Sequence, residues 1–438
     1  MWRCRRRRSW RRSPPATPPT TATRKTRSAP HRRARAEATV GADFEVYVHV
    51  PFCLRRCGYC DFNTYTASDL GAGASRANYA RMAAREMELV HDWQCAHGIA
   101  EPAASTVFFG GGTPTVLSPD DLVFLVERIR TLWGIAPGAE ITTEANPDTV
   151  DETAIDRLAA GGFTRISFGM QSAVPHVLRT LDRTHTPAHV TRGVRAAQAA
   201  GLDASVDLIY GAPGESLNDW RTSVRSALDL GVRHLSAYAL TVEPTTALGR
   251  RIAAGTLPKP DDDDEAAKYE IVDAMAQAVG LEWYEISNWA APGHESRHNL
   301  GYWRNVDWAG IGPGAHSHYR LPAGGDDGGG GRAVRAWDTL HPRRWGQQIN
   351  EGQVPFADHE SIDPQADLEE TIMLGLRLRE GLDVQAVQAR TGTDLAPVVH
   401  ALTGDGLVTC TQGRIIPTLR GRLLNDTVIQ RVFSAVLH

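Results

Sequence analysis

The chain has 438 residues, 42% of them hydrophobic, with 47 Lys and Arg against 51 Asp and Glu and a net charge of −4. That is enough for a large α/β domain plus a smaller one, and no apolar run nears the ~20 residues that cross a bilayer, which excludes a membrane-embedded protein. The charge is uneven: residues 1–40 hold 12 Arg and one Lys against one Glu, so the remainder carries −16, an acidic body that argues against a nucleic-acid partner.

Residues 1–42 are expected to form a disordered basic tail, because Arg, Pro and Thr dominate and no apolar face is available to bury. The tail superficially resembles a transit peptide but lacks the apolar core of a signal peptide. Only three lysines occur in the whole chain (Lys25, Lys259 and Lys268), so the Arg excess reads as coding bias and the protein is expected in the cytoplasm.

From residue 44, short β-rich runs alternate with amphipathic segments. The runs are 45–50, 106–109, 140–144, 165–168, 204–209 and 234–239; the segments lie near 76–93, 119–132, 151–160, 188–200 and 216–229. Such alternation predicts repeated βαβ units and a parallel sheet, and the six units match a partial (β/α)6 barrel over residues 43–280. Residues 281–360 read as a connecting region, Trp- and His-rich at first, with a Gly-rich loop over 321–332. Residues 361–438 predict a small α+β, winged-helix-like domain: helices near 366–379, 383–390 and 396–404, then two β-runs about Gln412-Gly413. A wing often binds DNA, but the acidic body favours a covering or docking role.

Directly after the first strand, Cys53, Cys57 and Cys60 stand in a C-x3-C-x2-C spacing. Three thiolates on one loop can hold three irons of a [4Fe–4S] cluster and leave the fourth open. That open iron can bind the amino and carboxylate groups of S-adenosylmethionine (SAM), the chemistry of radical SAM proteins. A zinc site would need a fourth ligand, for which His49 is the nearby candidate. Cys4, Cys95 and Cys410 are scattered, which weakens a disulfide reading.

Residues with binding chemistry follow the C-terminal ends of the other strands, the edge at which parallel α/β sheets bind ligands. The glycines of Gly110-Gly-Gly-Thr-Pro114 allow close backbone approach, placing Gly112 and Thr113 against the SAM amino group. Glu144, Gln171 and Asp207 can accept bonds from ammonium or ribose groups, and Arg183 can pair with a carboxylate. Each alone could equally be a salt bridge or a cap. His298 offers an imidazole for haem iron, with Tyr302 and Trp303 as stacking surfaces; a packed aromatic cluster is the competing reading. His316 and His318 are equally ambiguous.

Taken in order, Tyr47–Phe62, Gly110–Thr115, Glu144–Pro147, Arg165–Gln171, Val206–Gly214 and His298–Trp303 resemble the oxygen-independent coproporphyrinogen III oxidase-like radical SAM group, over about residues 44–430. Within that group, true oxidases carry a further cysteine two positions after the third cluster cysteine; here Phe62 stands there. This departure and the H-N-x-x-Y-W run resemble the haem-chaperone branch. The resemblance implies a [4Fe–4S] cluster on Cys53, Cys57 and Cys60, and a SAM pocket including Tyr47, Gly112, Thr113, Glu144, Gln171, Arg183 and Asp207. It also implies a haem-handling surface at His298, Tyr302 and Trp303, and partners that are haem and haem-acceptor proteins such as respiratory enzymes. Membrane contact would be at most transient, through acceptors. The alternative is radical oxidative decarboxylation of coproporphyrinogen III; whether the protein is an enzyme stays open, and no catalytic residue is assigned.

Overall fold

A computed structural model describes residues 43–321 and 333–437; the basic tail, Cys4 and nearly all of the Gly-rich loop lie outside the described residues. The six expected β-rich runs are strands: β1 (Phe44–Val50), β2 (Ala104–Gly111), β3 (Ile135–Ala145), β4 (Arg165–Gln171), β5 (Asp203–Tyr210) and β6 (His234–Ala239). They pair in parallel and in sequence. Alternate side chains of these strands are apolar and pack outward, as Phe44, Val46, Val48 and Val50 do in β1, while barrel-facing positions carry polar groups such as Glu45, Thr106, Ser167 and Asp207. The outer helices begin where short polar side chains cap free N–H groups, as Ser118 does for Asp121 N and Asp151 for Ala154 N.

Residues 281–360 do more than connect. β7 (Glu282–Glu285) and β8 (Asn288–Ala290) add antiparallel strands beyond β6. β9 (Asp307–Ile311) pairs in parallel with β1, and β10 (His316–Arg320), β11 (Ala333–Asp338) and β12 (Phe356–Ile362) continue antiparallel from it. The result is one twelve-stranded sheet in the order β12-β11-β10-β9-β1-β2-β3-β4-β5-β6-β8-β7.

The C-terminal residues carry the expected hairpin, β14 (Val408–Thr411) and β15 (Arg414–Pro417), with β13 (Leu382–Asp383) on its free side. Gln412 and Gly413 both have positive φ (52° and 76°), as a two-residue turn matching strand twist demands. Helices Pro364–Gly375 and Asn425–Val436 pack on this sheet around a separate core including Ile372, Leu402, Ile415 and Val428. A buried latch joins this unit to the barrel. Arg422 donates to both carboxylate oxygens of Asp273 (2.8 and 3.0 Å) and lies 4.5 Å from the Trp283 ring centroid.

Candidate functional site

The cysteine loop leaves the C-terminal end of β1 and is closed at its base by backbone bonds, Tyr65 N to Pro51 O (2.7 Å) and Cys53 N to Tyr65 O (3.0 Å). A turn bond from Cys60 N to Cys57 O (3.3 Å) brings the last two thiols round. At Gly58 an added Cβ would lie 2.4 Å from an Asp182 carboxylate oxygen, so the loop accepts no side chain there without displacement. Burial raises the Cys53 thiol above its ordinary pKa, with Thr113 opposing, and pushes Cys60 up to about 11. Ligation by iron releases those protons.

Two neighbours are aimed at the sulfurs. Thr113 Oγ1 donates to Cys53 Sγ (3.7 Å), and Arg183 Nη1 donates to Cys57 Sγ (3.2 Å). Arg183 is held by Asn146 Oδ1 (2.7 Å) and Gly169 O (2.9 Å). Gln171, at φ +61°, folds back beside Gly169, where an added Cβ would meet its amide at 2.8 Å. Positive φ at a non-glycine residue is uncommon and collects at binding sites. Gly112 N and Thr113 N bond to Val50 O and Phe52 O (both 2.8 Å), tying the glycine turn to the cysteine loop. A Cβ at Gly112 would sit 2.5 Å from Phe52 O, a clash with backbone that only glycine avoids.

His49 cannot readily complete a zinc site. Its Nε2 donates to Asn63 O (3.0 Å) and its Nδ1 accepts from Tyr47 OH (3.0 Å), so both nitrogens are engaged. Three thiols on one loop, with the nearby histidine engaged elsewhere, match the ligand count of a cluster with one open iron.

Below the loop, the barrel encloses a cavity of about 140 Å³ lined by Tyr47, Glu144, Asp207, His298 and Tyr302 among others. Glu144 accepts from Gly111 N (3.2 Å); burial, and then the Asp207 carboxylate, push its pKa up to about 8. Burial also raises Asp207, against the Ser236 and Ser167 hydroxyls. Two buried carboxyls sharing one cavity favour a cationic ligand, and SAM is one.

The H-N-x-x-Y-W run forms the helix Arg297–Trp303, which closes the opposite, N-terminal end of the barrel. Arg297 N and His298 N donate to Glu140 (3.3 and 3.2 Å), and Arg297 Nη2 reaches Gly138 O (2.7 Å). His298 is 2% exposed, stacks on Phe108 with centroids 5.0 Å apart, and shares hydrogen bonds with Thr106 Oγ1 (2.7 Å) through Nδ1 and Tyr302 OH (3.0 Å) through Nε2. Burial holds its pKa down to about 3. Both nitrogens are therefore occupied. Trp303 departs from the other two: it packs with Leu378 and lies under the Arg377 guanidinium (5.8 Å). His318 is buried, bonded to Asp307 (3.0 Å) and stacked on Trp308. His316 is exposed.

Sequence reasoning assigned no role to Asn146 or Phe108. Asn146 was findable, since it lies two residues after Glu144 at the same strand end; Phe108 looked like any strand aromatic.

Residues 47–227 match the Radical SAM superfamily and residues 362–424 the HemN C-terminal domain. The chain is 42% identical over 395 residues to "Heme chaperone HemW" of Mycobacterium tuberculosis, covering 90% of this chain and 96% of the relative. It is 33% identical to "Heme chaperone HemW" of Bacillus subtilis, covering 87% and 97%. It is 31% identical to zebrafish (Danio rerio) "Radical S-adenosyl methionine domain-containing protein 1, mitochondrial", covering 78% and 74%. The structure of Escherichia coli coproporphyrinogen III oxidase (HemN) superposes with a TM-score of 0.71 at 23% identity, covering 89% of this chain and 90% of that one; it shares the fold. With the barrel, the three-thiol loop and near-full-length identity in hand, the chain belongs to the HemW family of radical SAM proteins.

Proposed function

We propose that this protein binds haem and delivers it to haem-requiring acceptor proteins, respiratory enzymes among them, while holding a [4Fe–4S] cluster and SAM at the cysteine loop. The observation that carries the reading is the identity with haem chaperones across 90% of the chain, supported by Phe62 where an oxidase has its additional cysteine. When bound, the cluster supplies an open iron for SAM and a single electron. Cys53, Cys57 and Cys60 would hold it. Thr113 and Arg183 donate to two of the sulfurs and so lower the cost of added negative charge. Tyr47, Gly112, Gln171, Glu144 and Asp207 would hold SAM, the two carboxyls matching its positive charge.

The proposed location is the cytoplasm, with membranes met only through acceptors and no nucleic-acid partner. Among the described residues no helix is long and apolar enough to cross a membrane.

The test is anaerobic. Reconstituted protein is loaded with haem and mixed with an apo-haemoprotein, and, separately, incubated with SAM and coproporphyrinogen III. Stoichiometric haem uptake with transfer, and no protoporphyrinogen, is expected. Decarboxylation at a useful rate, or no haem uptake, overturns the proposal.

A further inference from the structure

The haem-chaperone reading needs a surface able to hold a flat apolar ring with an iron ligand and a cation for its carboxylates, and in the barrel cavity both ring nitrogens of His298 are already engaged. Such a surface lies beside the cysteine loop. The Gly312–His316 turn and the segment 337–341 run together there, pinned by Asn63, whose Nδ2 donates to Pro313 O (2.8 Å) and Leu340 O (2.7 Å). His316 is exposed, its ring makes no hydrogen bond among the described residues, and it stacks on the half-buried Trp337 with centroids 5.9 Å apart. Leu340 is 62% exposed, the largest exposure of a large hydrophobic residue among the described residues, and it touches this turn: an added Cβ on Gly314 would be 2.9 Å from its Cδ2.

Tyr65, five residues after Cys60, joins the same surface. Its hydroxyl donates to Asn63 Oδ1 (3.0 Å), and its ring lies 6.2 Å from that of His341, which is exposed. Arg56 supplies charge. It is exposed, reaches Phe62 O (3.3 Å), and lies near enough to Tyr65 to oppose the rise that burial imposes on the phenol.

We propose that haem docks on this surface, with the His316 imidazole, packed along the Trp337 indole, as axial ligand, Leu340 against the ring, and Arg56 facing a propionate. An exposed imidazole without a competing partner is the form iron can take. An aromatic ring and an open leucine remove apolar area from water, and a guanidinium suits a carboxylate. This rests on the haem-chaperone reading and locates its cargo at the rim of the cluster loop, away from His298.

The experiment is a haemin titration of the full chain with its cluster reconstituted, followed by the Soret band against the cluster-only baseline and by pyridine haemochrome. His316→Ala should weaken binding at least tenfold and shift the Soret band, and Arg56→Glu should weaken it without shifting the band. Cluster content and melting temperature of His316→Ala should stay at wild-type values, since its ring makes no hydrogen bond among the described residues; Arg56→Glu is read against its own cluster content, because Arg56 donates to Cys60 O and Phe62 O within the cluster loop. If the wild type binds haem and His316→Ala, Arg56→Glu and a His316→Ala/His341→Ala double variant all match it in affinity and spectrum, the site is overturned while the chaperone reading stands. If the wild type itself takes up no haem, the chaperone reading falls and the site with it.

Discussion

Replacing His298 by alanine tests whether the H-N-x-x-Y-W run handles haem directly or shapes the barrel. The ring is buried against Phe108 and shares hydrogen bonds with Thr106 and Tyr302. Its removal takes a partner from the buried Tyr302 hydroxyl, about 1–3 kcal/mol, while Thr106 keeps the Glu45 carboxyl, and leaves a void where an aromatic ring packed, about 2–5 kcal/mol. These share one site and do not add, so a loss of about 3–5 kcal/mol is expected, a large part of the roughly 5–15 kcal/mol that holds a domain folded. Urea unfolding at pH 7.5 measures it.

The pH dependence gives a second reading of the same variant. With its pKa at about 3 in the fold against an ordinary 6.5, His298 stays neutral while the unfolded chain takes up a proton. Wild-type stability therefore falls on acidification between about pH 6.5 and 3, by about 1.4 kcal/mol per pH unit from this group. His298→Ala lacks that contribution, so its deficit should shrink as pH falls through the window. Its haem spectrum should match wild type. An unchanged urea midpoint together with a shifted Soret band would refute the reasoning and make His298 a ligand.

Glu144→Gln should stabilise the apoprotein at pH 8, the advantage growing from pH 4.5 to about 8, because wild-type Glu144 resists ionisation in the fold; SAM affinity should fall, and parallel stability curves would sink the argument. Anaerobically prepared protein should hold about four irons and four sulfides, lost on replacing Cys53, Cys57 or Cys60 by Ala and kept on replacing the exposed Cys95 or Cys410. Equal iron loss at Cys95 would contradict the assignment. Arg422→Met breaks the buried pair with Asp273 and should cost about 3–5 kcal/mol, seen as earlier unfolding and protease release of the C-terminal unit; unaltered protease resistance would show that the latch carries no stability.

How much of this was legible in the chain depended on the range of the interactions. The six barrel strands were legible because short β-rich runs alternating with amphipathic segments mark βαβ units. Cys53, Cys57 and Cys60 were legible because a thiol set on one short loop is local, and Gln412-Gly413 because a two-residue turn is chosen by its own backbone. The strands over 282–362 were not, since β7 and β8 have only four and three residues and β9 finds its place by pairing along β1, far back in the chain. The split within His298–Trp303 was equally hidden. A helical run of six residues looks like one motif, yet Glu140 and Thr106 turn His298 toward the barrel while Trp303 faces Arg377. Sequence spacing settled which groups could bind iron, sulfur and SAM, since that is a property of residue type and local chain. Only the tertiary structure decided which of them still had an atom free to bind, because burial and hydrogen bonding come from partners far along the chain.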